Sequence, residues 1–261
     1  MRERRDSSPL TPCYPHFRHG GAVQADGIAS ANVVGYQTSA LLPNDYTMFG
    51  IQFQGTDGES IKFKDLSGNF LGGGSLGESD NILVWKADGY HNYYYGVWND
   101  PDNPEWDNLW YNISDEDASE ETIDPGTACW YLRRASDDVA LTVSGQVKLT
   151  PTTTTILAND YTMFANPYPT AMKFSQITVA DPLGGGSLGE ADNILLWLSD
   201  GYHNYYYGVW NDPDNPEWDN LWYNISDEDA SEEEIPIGAA CWYLRRTDTA
   251  TTMSFTSPVA K

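Results

Sequence analysis

Apolar and polar residues alternate along this chain in short runs. Such runs, rich in Val, Ile, Tyr and Trp, include NILVWKAD at residues 81–88, YHNYYYGVW at 90–98, ACWYLRR at 128–134 and VALTVSG at 139–145. Clusters of Gly, Pro, Asn and Asp bound the runs, and this combination is typical of β-strands joined by turns. No long stretch keeps a helical period. The pattern therefore predicts an all-β fold.

The alternation also assigns faces to the strand at residues 90–98. His91, Tyr93, Tyr95 and Val97 fall on one face, and Tyr90, Asn92, Tyr94 and Trp98 fall on the other, because successive side chains of a strand point to opposite sides of the sheet. We expect one of the two faces to belong to a core.

The second half of the sequence repeats the first. Residues 88–121 recur without a change at 200–233, and the match extends outward through LGGGSLGE at 71–78 and 183–190, NDYTMF at 44–49 and 159–164, and ACWYLRR at 128–134 and 240–246. A repeat of this length indicates a duplicated domain. The spacing of strands and turns predicts two tandem, jelly-roll-like β-sandwich domains, at residues 28–147 and 148–261, after an irregular leader at 1–27.

The chain is strongly acidic. It has 38 Asp and Glu against 14 Lys and Arg, a formal net charge of -24. Such a field repels nucleic acid and anionic membrane surfaces and attracts cations, so we expect no nucleic-acid partner. The sequence also has no apolar run of the roughly 18 residues that predict a membrane span, so we expect no membrane insertion.

The leader at residues 1–27 lacks the apolar stretch of a secretory signal. Two interpretations stay open: it is an extension of the mature protein, or it is an upstream piece whose signal is missing from this sequence. The small-residue stretch GGAVQADGIASA, at residues 20–31, is typical of chain that follows a cleavage point, which favours the second interpretation and an extracellular or cell-surface location.

Several strand signatures resemble those of a known group of proteins. The opening ANVVGYQT, the DNILVW and YYYGVW strands, and WYLRR followed by VALTVSGQV resemble exported bacterial tandem β-repeat proteins of uncharacterised function. The resemblance runs from about Ala29 to the end of the chain. It implies export and β-structure, and it implies no particular chemistry.

An acidic, proline-containing segment, NDPDNPEWDN, lies at residues 99–108 and again at 211–220. Carboxylate and amide oxygens in a turn are the ligands that calcium prefers, although the segment is not an EF-hand and Asp or Asn before Pro also simply forms turns. The candidate calcium ligands are Asp100, Asp102, Glu105 and Asp107, with Asp212, Asp214, Glu217 and Asp219 in the second repeat.

Aromatic residues are concentrated around the same segment. An exposed row of rings would stack on the apolar faces of sugars while nearby Asn and Asp accept hydroxyl hydrogens; the alternative is that these rings fill a core. The candidate carbohydrate-binding residues are Tyr90, Tyr94, Trp98 and Trp106, with Tyr202, Tyr206, Trp210 and Trp218 in the second repeat.

Catalytic signatures are weak in this sequence. Cys13, Cys129 and Cys241 form no CxxC pair, and the favoured interpretation of the last two is a buried free thiol in a strand. The sequence has no GxSxG or HExxH motif, and nothing singles out two of its many carboxylates. We therefore predict that the protein is not an enzyme.

Two functions are consistent with the sequence. The first is a subunit of an extracellular filament or surface layer that binds copies of itself by strand addition through residues 29–42, 147–157 and 251–261. The alternative is a tandem carbohydrate-binding protein, with or without calcium, in which duplication supplies avidity for a glycan.

Overall fold

A computed structural model describes residues 34–257, and it confirms the all-β prediction. The first half contains the strands β1 Val34–Leu41, β2 Tyr46–Gly50, β3 Phe53–Gln54, β4 Ile61–Lys62, β5 Asn81–Lys86, β6 Gly89–Gly96, β7 Leu109–Asn112, β8 Thr122–Ile123, β9 Ala128–Leu132 and β10 Val139–Val147. The second half contains β11 Thr152–Ile156, β12 Tyr161–Ala165, β13 Met172–Lys173, β14 Ile177–Val179, β15 Asn193–Leu198, β16 Gly201–Gly208, β17 Leu221–Asn224, β18 Glu234–Ile235, β19 Ala240–Leu244 and β20 Thr251–Phe255. The predicted leader, with Cys13, lies outside the described residues.

The strands form antiparallel sheets that occur in corresponding pairs. A five-stranded sheet has the order β2-β9-β5-β6-β7 in the first repeat and β12-β19-β15-β16-β17 in the second. A three-stranded sheet has the order β1-β10-β3 in the first repeat and β11-β20-β14 in the second, but β3 precedes β4 in the chain whereas β14 follows β13, so these third strands do not correspond. A two-stranded sheet pairs β4 with β8 in the first repeat and β13 with β18 in the second. The sequence repeat therefore folds twice into the same five-stranded and two-stranded sheets, and the repeats differ in one strand of the three-stranded sheet.

Short 3₁₀ turns complete each repeat. They span Phe63–Asp65 and Pro104–Trp106 in the first repeat, and Phe174–Gln176 and Pro216–Trp218 in the second. Within residues 34–257 there is no helix long and apolar enough to cross a membrane.

Each repeat has its own hydrophobic core between two sheets. In the first repeat, Ile82, Tyr93 and Tyr131 of the five-stranded sheet join Phe53 and Leu141 of the three-stranded sheet in one buried cluster. The second repeat repeats this cluster with Ile194, Tyr205, Tyr243, Met253 and Phe255. Burial of these large side chains is the main term that stabilises each repeat.

A buried ion pair lies at one end of each core. Asp80, which is fully buried, accepts hydrogen bonds from Arg133 Nη1 at 2.5 Å and from the Tyr131 hydroxyl at 2.7 Å. Its other oxygen accepts from the Arg134 amide at 2.9 Å. In each repeat the DNIL motif thus supplies the buried carboxylate and the WYLRR motif supplies its donors.

The five-stranded sheets of the two repeats contact each other through their outer faces. Trp85 packs on Trp242 with ring centroids 5.2 Å apart, and Trp130 packs on Trp197 at 5.5 Å. Trp197 and Trp242 are the second-repeat counterparts of Trp85 and Trp130. Each contact is therefore made twice with the roles of the repeats exchanged, which is the property of an isologous, approximately twofold interface.

Main-chain hydrogen bonds between the repeats are also made twice, with the roles of the repeats exchanged. The Gly50 amide donates to the Gly238 carbonyl oxygen at 2.9 Å, and the Ala165 amide donates to the Gly126 carbonyl oxygen at 2.8 Å. Gly50 corresponds to Ala165, and Gly126 corresponds to Gly238. The described residues accordingly belong to one compact unit, not to two separated ones.

The three segments predicted for strand addition, residues 29–42, 147–157 and 251–261, differ in whether their strands have an unpaired edge. Thr251–Phe255 (β20) is the middle strand of its sheet, so both of its edges already carry partners within the chain. β1 and β11 are edge strands, and β1 exposes Val34 at 66% and Tyr36 at 76%. Among the described residues of these segments, β1 and β11 each leave one edge without a paired strand, and residues 29–33 and 258–261 lie outside the described residues.

Candidate functional site

The block of sequence that repeats without change forms the same surface pocket twice. The pocket of the first repeat has a volume of about 620 Å³, and that of the second has about 520 Å³. Both lie within the usual size range of small-molecule sites. The walls are Trp98, Glu105, Trp106, Leu109, Tyr111, Asp115 and Asp117 in the first pocket, and Trp210, Glu217, Trp218, Leu221, Tyr223, Asp227 and Asp229 in the second.

The loop after β6 brings the two tryptophans of the first pocket together. One carboxylate oxygen of Asp107 accepts hydrogen bonds from the backbone amides of Trp98, at 2.6 Å, and Asn99, at 3.0 Å. The Tyr111 hydroxyl donates to the Trp106 carbonyl oxygen at 2.9 Å and so fixes the turn Pro104–Trp106. Both tryptophans are therefore held by hydrogen bonds that leave their rings in the pocket wall.

The floor of the pocket is a stack of aromatic rings. The Trp98 and Tyr111 rings meet at 80°, with centroids 4.5 Å apart, and Tyr94 stacks behind Tyr111 at 5.7 Å. Gly96 makes this packing possible, because a Cβ atom there would lie 2.4 Å from the Trp98 ring and 2.6 Å from the Tyr111 ring. The aromatic rings that line the pocket are those of Trp98, Trp106 and Tyr111, and Trp106 is the exposed one, at 47%.

Three carboxylates, those of Glu105, Asp115 and Asp117, also line this pocket. The Tyr94 hydroxyl donates to one oxygen of Asp115 at 2.6 Å, and the Ser119 amide donates to one oxygen of Asp117 at 2.8 Å. Within the described part of the chain, the second oxygen of each of these carboxylates accepts no hydrogen bond, and neither does Glu105. The pocket therefore offers carboxylate acceptors beside its aromatic wall.

The pKa values of Tyr94 and Tyr111 are raised by burial and by nearby carboxylates. Burial, followed by the hydrogen bond to Asp115, raises the pKa of Tyr94. Burial, followed by the negative charges of Asp117, Asp107 and Glu105, raises the pKa of Tyr111. Both hydroxyls thus stay protonated at neutral pH, so they act as hydrogen-bond donors to Asp115 and to the Trp106 carbonyl.

The candidate carbohydrate-binding residues do not form a single row. Trp98, Trp106, Trp210 and Trp218 line the pockets. Tyr94 and Tyr206 are each only 1% exposed, and their rings lie behind the pocket floor and do not line the pockets. Tyr90 and Tyr202 lie instead at the contact between the repeats, where their hydroxyls approach Met163 Sδ and Met48 Sδ.

The candidate calcium ligands serve mainly to hold their own loop. Asp100 accepts from the Asp102 amide at 2.9 Å and from Asn103 Nδ2 at 3.0 Å, and these bonds, the side-chain one first, lower its pKa. Asp212 accepts the corresponding hydrogen bonds in the second repeat, and Asp219 accepts from the backbone amides of Trp210 and Asn211 as Asp107 does in the first. Asp102 and Asp214 contribute their backbone amides, and Glu105 and Glu217 line the pockets. Within residues 34–257, no group of three or more His, Cys, Asp or Glu side chains is spaced to hold a metal ion. Calcium binding stays a prediction from the sequence.

Sequence reasoning missed several residues of the pocket wall, namely Tyr111, Asp115 and Asp117 with their second-repeat counterparts Tyr223, Asp227 and Asp229. They lie on β7 and on the turn after it, beyond the acidic segment on which the prediction was centred. The signal that marks them is the unchanged block itself, since residues 88–121 include every side chain that lines the first pocket.

Comparison of the sequence with profiles of known protein families gives no match, and a search among characterised proteins gives none either.

Proposed function

We propose that this chain is a tandem carbohydrate-binding protein with one glycan pocket in each repeat. The observation that carries the proposal is the pocket of two tryptophans, one tyrosine and three carboxylates, which is built twice from identical sequence. Aromatic rings stack on the apolar faces of sugars, and carboxylates accept hydrogen bonds from sugar hydroxyl groups. The exposure of Trp106, 47%, leaves its ring accessible to such a ligand.

The proposal concerns binding, not catalysis. His91 and His203, the histidines of the described residues, lie outside both pockets and pair with Asp88 and Asp200 at 2.8 and 2.9 Å. Each pocket instead combines ring surface with hydrogen-bond acceptors, which is the composition of a recognition site. An extracellular location accords with this function, because long glycans lie at and beyond the cell surface.

We further propose that each repeat is a β-sandwich domain and that a duplication produced the pair. The corresponding order of strands in the two five-stranded sheets supports this view, as does the separate core of each repeat. Duplication then gives one chain two equivalent sites, which raises its affinity for a repetitive polymer above that of either site alone.

The test is calorimetric titration with soluble oligosaccharides, using a panel of neutral and charged hexamers. Wild-type protein is expected to bind a member of the panel with a stoichiometry of two. Trp106→Ala is expected to reduce the stoichiometry to one, and Trp106→Ala with Trp218→Ala is expected to abolish binding.

The matched control is Tyr36→Ala, which removes an aromatic ring that is 76% exposed on β1, away from both pockets. It should leave binding unchanged. Unaltered binding by the double tryptophan variant would remove the basis for the pockets as glycan sites.

A second candidate is a filament subunit that assembles by strand addition, and the exposed edge strand β1 favours it. One side chain of β1 already contacts the second repeat, since Gln37 Nε2 donates to the Ile237 carbonyl oxygen at 3.2 Å. Negative-stain electron microscopy and light scattering, with and without calcium, test assembly directly. Fibres that disappear in Val34→Lys with Tyr36→Lys would support this candidate, and a monodisperse monomer in every condition would exclude it.

A further inference from the structure

Both pockets are negatively charged and have no compensating cation. Glu105, Asp115 and Asp117 line the first, and Glu217, Asp227 and Asp229 line the second, while neither lining contains Lys, Arg or His. The chain as a whole carries a formal charge of -24. A ligand with carboxylate or sulfate groups would therefore be repelled both at a distance and inside the pocket.

The charges converge on the aromatic part of the pocket. The negative charges of Asp117, Asp107 and Glu105 act together at the Tyr111 hydroxyl, where they add to burial in raising its pKa. The Trp98 and Tyr111 rings meet at 80° and so form a corner in the pocket lining. Glu105, Asp115 and Asp117 line the same pocket. A cation held in such a corner gains from the ring electrons and from the carboxylates at once.

The geometry points to a cationic glycan: we infer that the two pockets select sugars that carry free, protonated amino groups, that is, de-N-acetylated amino sugars. This inference rests on the proposed function and narrows its ligand class. The sugar ring stacks on Trp106 or Trp98, its hydroxyls donate to the carboxylates, and its ammonium group lies against Glu105 and Asp117. A neutral sugar makes the first two contacts and lacks the third.

The experiment compares three hexamers that differ at one position of each sugar: β-1,4-linked glucosamine, N-acetylglucosamine and glucose. Titrations are run at about pH 5.5, below the pKa of an amino group and above that of an ordinary carboxyl group. The glucosamine hexamer is expected to bind at least tenfold more tightly than the other two. Its affinity is expected to fall as salt is added, because the added ions screen the charge interaction.

The decisive variant is Glu105→Gln with Glu217→Gln, which keeps the shape of two exposed side chains and removes one charge from each pocket. Affinity for the glucosamine hexamer should fall at least tenfold, and the preference for this hexamer over the N-acetylated one should be lost. Asp138→Asn with Asp248→Asn is the matched control, since it removes the same two charges from exposed positions outside the pockets. It should leave binding within about twofold of wild type, which separates a site from general attraction of a polycation.

The remaining outcomes are distinct. Equal or tighter binding of the neutral hexamers, still dependent on Trp106 and Trp218, would overturn the cationic preference and leave the glycan proposal standing. Binding of a lysine hexapeptide as tight as that of the glucosamine hexamer would also overturn it, because the pockets would then recognise a cation without a sugar. Failure of all three sugars to bind would count against this inference and, with the wider panel negative, against the proposed function.

Discussion

Gly50 and Ala165, which occupy corresponding positions in the two repeats, lie directly against each other: a Cβ atom added to Gly50 would be 2.2 Å from the Ala165 Cβ. This distance is far below an ordinary van der Waals contact, so only one of the two positions has room for a methyl group. The pair lies where the reciprocal hydrogen bonds of Gly50 and Ala165 connect the repeats. The two repeats therefore meet at a point where both copies cannot carry alanine at this position.

Gly50→Ala should therefore destabilise the protein by about 1–3 kcal/mol, the usual effect of overpacking a tight contact. The double variant Gly50→Ala with Ala165→Gly exchanges the two residues and should recover most of the loss, since the methyl group then has its space on the other side. Chemical unfolding of wild type, both single variants and the double variant gives the coupling free energy directly.

Gly189→Ala is the control for that cycle, because a Cβ atom at Gly189 has nothing within 4 Å. It should leave the free energy of unfolding within about 0.5 kcal/mol of wild type, as is usual for a surface substitution. Additive effects of the two single variants, with no recovery in the double variant, would show that the repeats do not meet at this point.

Asp80→Asn should be among the most destabilising substitutions in the first repeat. Asp80 and Arg133 are both buried, and the substitution leaves the guanidinium without its buried counter-charge while Asp137, at 2.6 Å, remains an exposed partner. Breaking a buried ion pair from one side usually lowers stability by about 3–5 kcal/mol.

The measurement is again chemical unfolding, with Asp138→Asn as the control that removes one exposed negative charge. Asp192→Asn should reproduce the effect in the second repeat, where Asp192 accepts from Arg245 at 2.6 Å. A loss no greater than that of the control would contradict a structural role for the pair.

Local pattern was sufficient to predict the strands but not what packs against them. NILVWKAD and YHNYYYGVW become β5 and β6, and Tyr93 and Tyr95 share a face that packs in the core, as the alternation indicates. Tyr94 was assigned to the other face, and that face is also buried, because Tyr111 stacks on it after the chain has passed through the loop at 97–108. Alternation defines the face of a strand and carries no information about distant residues that pack on it.

The contact between the repeats could not be predicted from the sequence for the same reason. Trp85 and Trp242 are distant in sequence, and nothing near either residue indicates that its partner lies in the other copy. The pocket was half predicted: Trp98, Trp106 and Glu105 were singled out by their chemistry, whereas Asp115 and Asp117 were not. Their role depends on β7 returning beside β6, which is a property of the sheet order.

The two described thiols should be inert in the folded protein. Cys129 and Cys241 are fully buried in the two cores, and burial strongly raises the pKa of each thiol. Since the thiolate is the reactive form, a disulfide reagent should label neither thiol under native conditions and both after unfolding in denaturant.

The assay uses Cys13→Ser, so that only these two thiols are counted, and it follows labelling spectroscopically. Ser136→Cys in the same background is the positive control, because residue 136 is exposed in the turn after β9. Rapid labelling of the native Cys13→Ser protein, at a rate close to that of the control thiol, would show that the cores open easily or are not formed as described.

The surface ion pairs of Glu120 differ from those of its second-repeat counterpart, and titration of the Glu120 carboxyl group tests the difference. Glu120 binds Lys62 at 2.9 Å and also binds Lys64, and these hydrogen-bonded lysines lower its pKa to about 2. The corresponding carboxylate in the second repeat, Glu232, pairs with Lys173 alone, because a serine stands where the first repeat has Lys64. Lys64→Ser, which copies the second repeat, should therefore raise the pKa of Glu120.

Carboxyl-detected NMR titration measures this shift. Because the pKa is lower in the folded than in the unfolded state, the stabilising effect of the ion pairs is present above the unfolded value of about 4.3 and is lost as pH falls through about 2. In Lys64→Ser the folded-state pKa of Glu120 is higher, so the stabilising effect should already be lost at a higher pH than in wild type. The free energy of unfolding at neutral pH should stay almost unchanged, since exposed ion pairs contribute little there. An unchanged Glu120 titration in the variant would mean that Lys64 does not bind this carboxylate in solution.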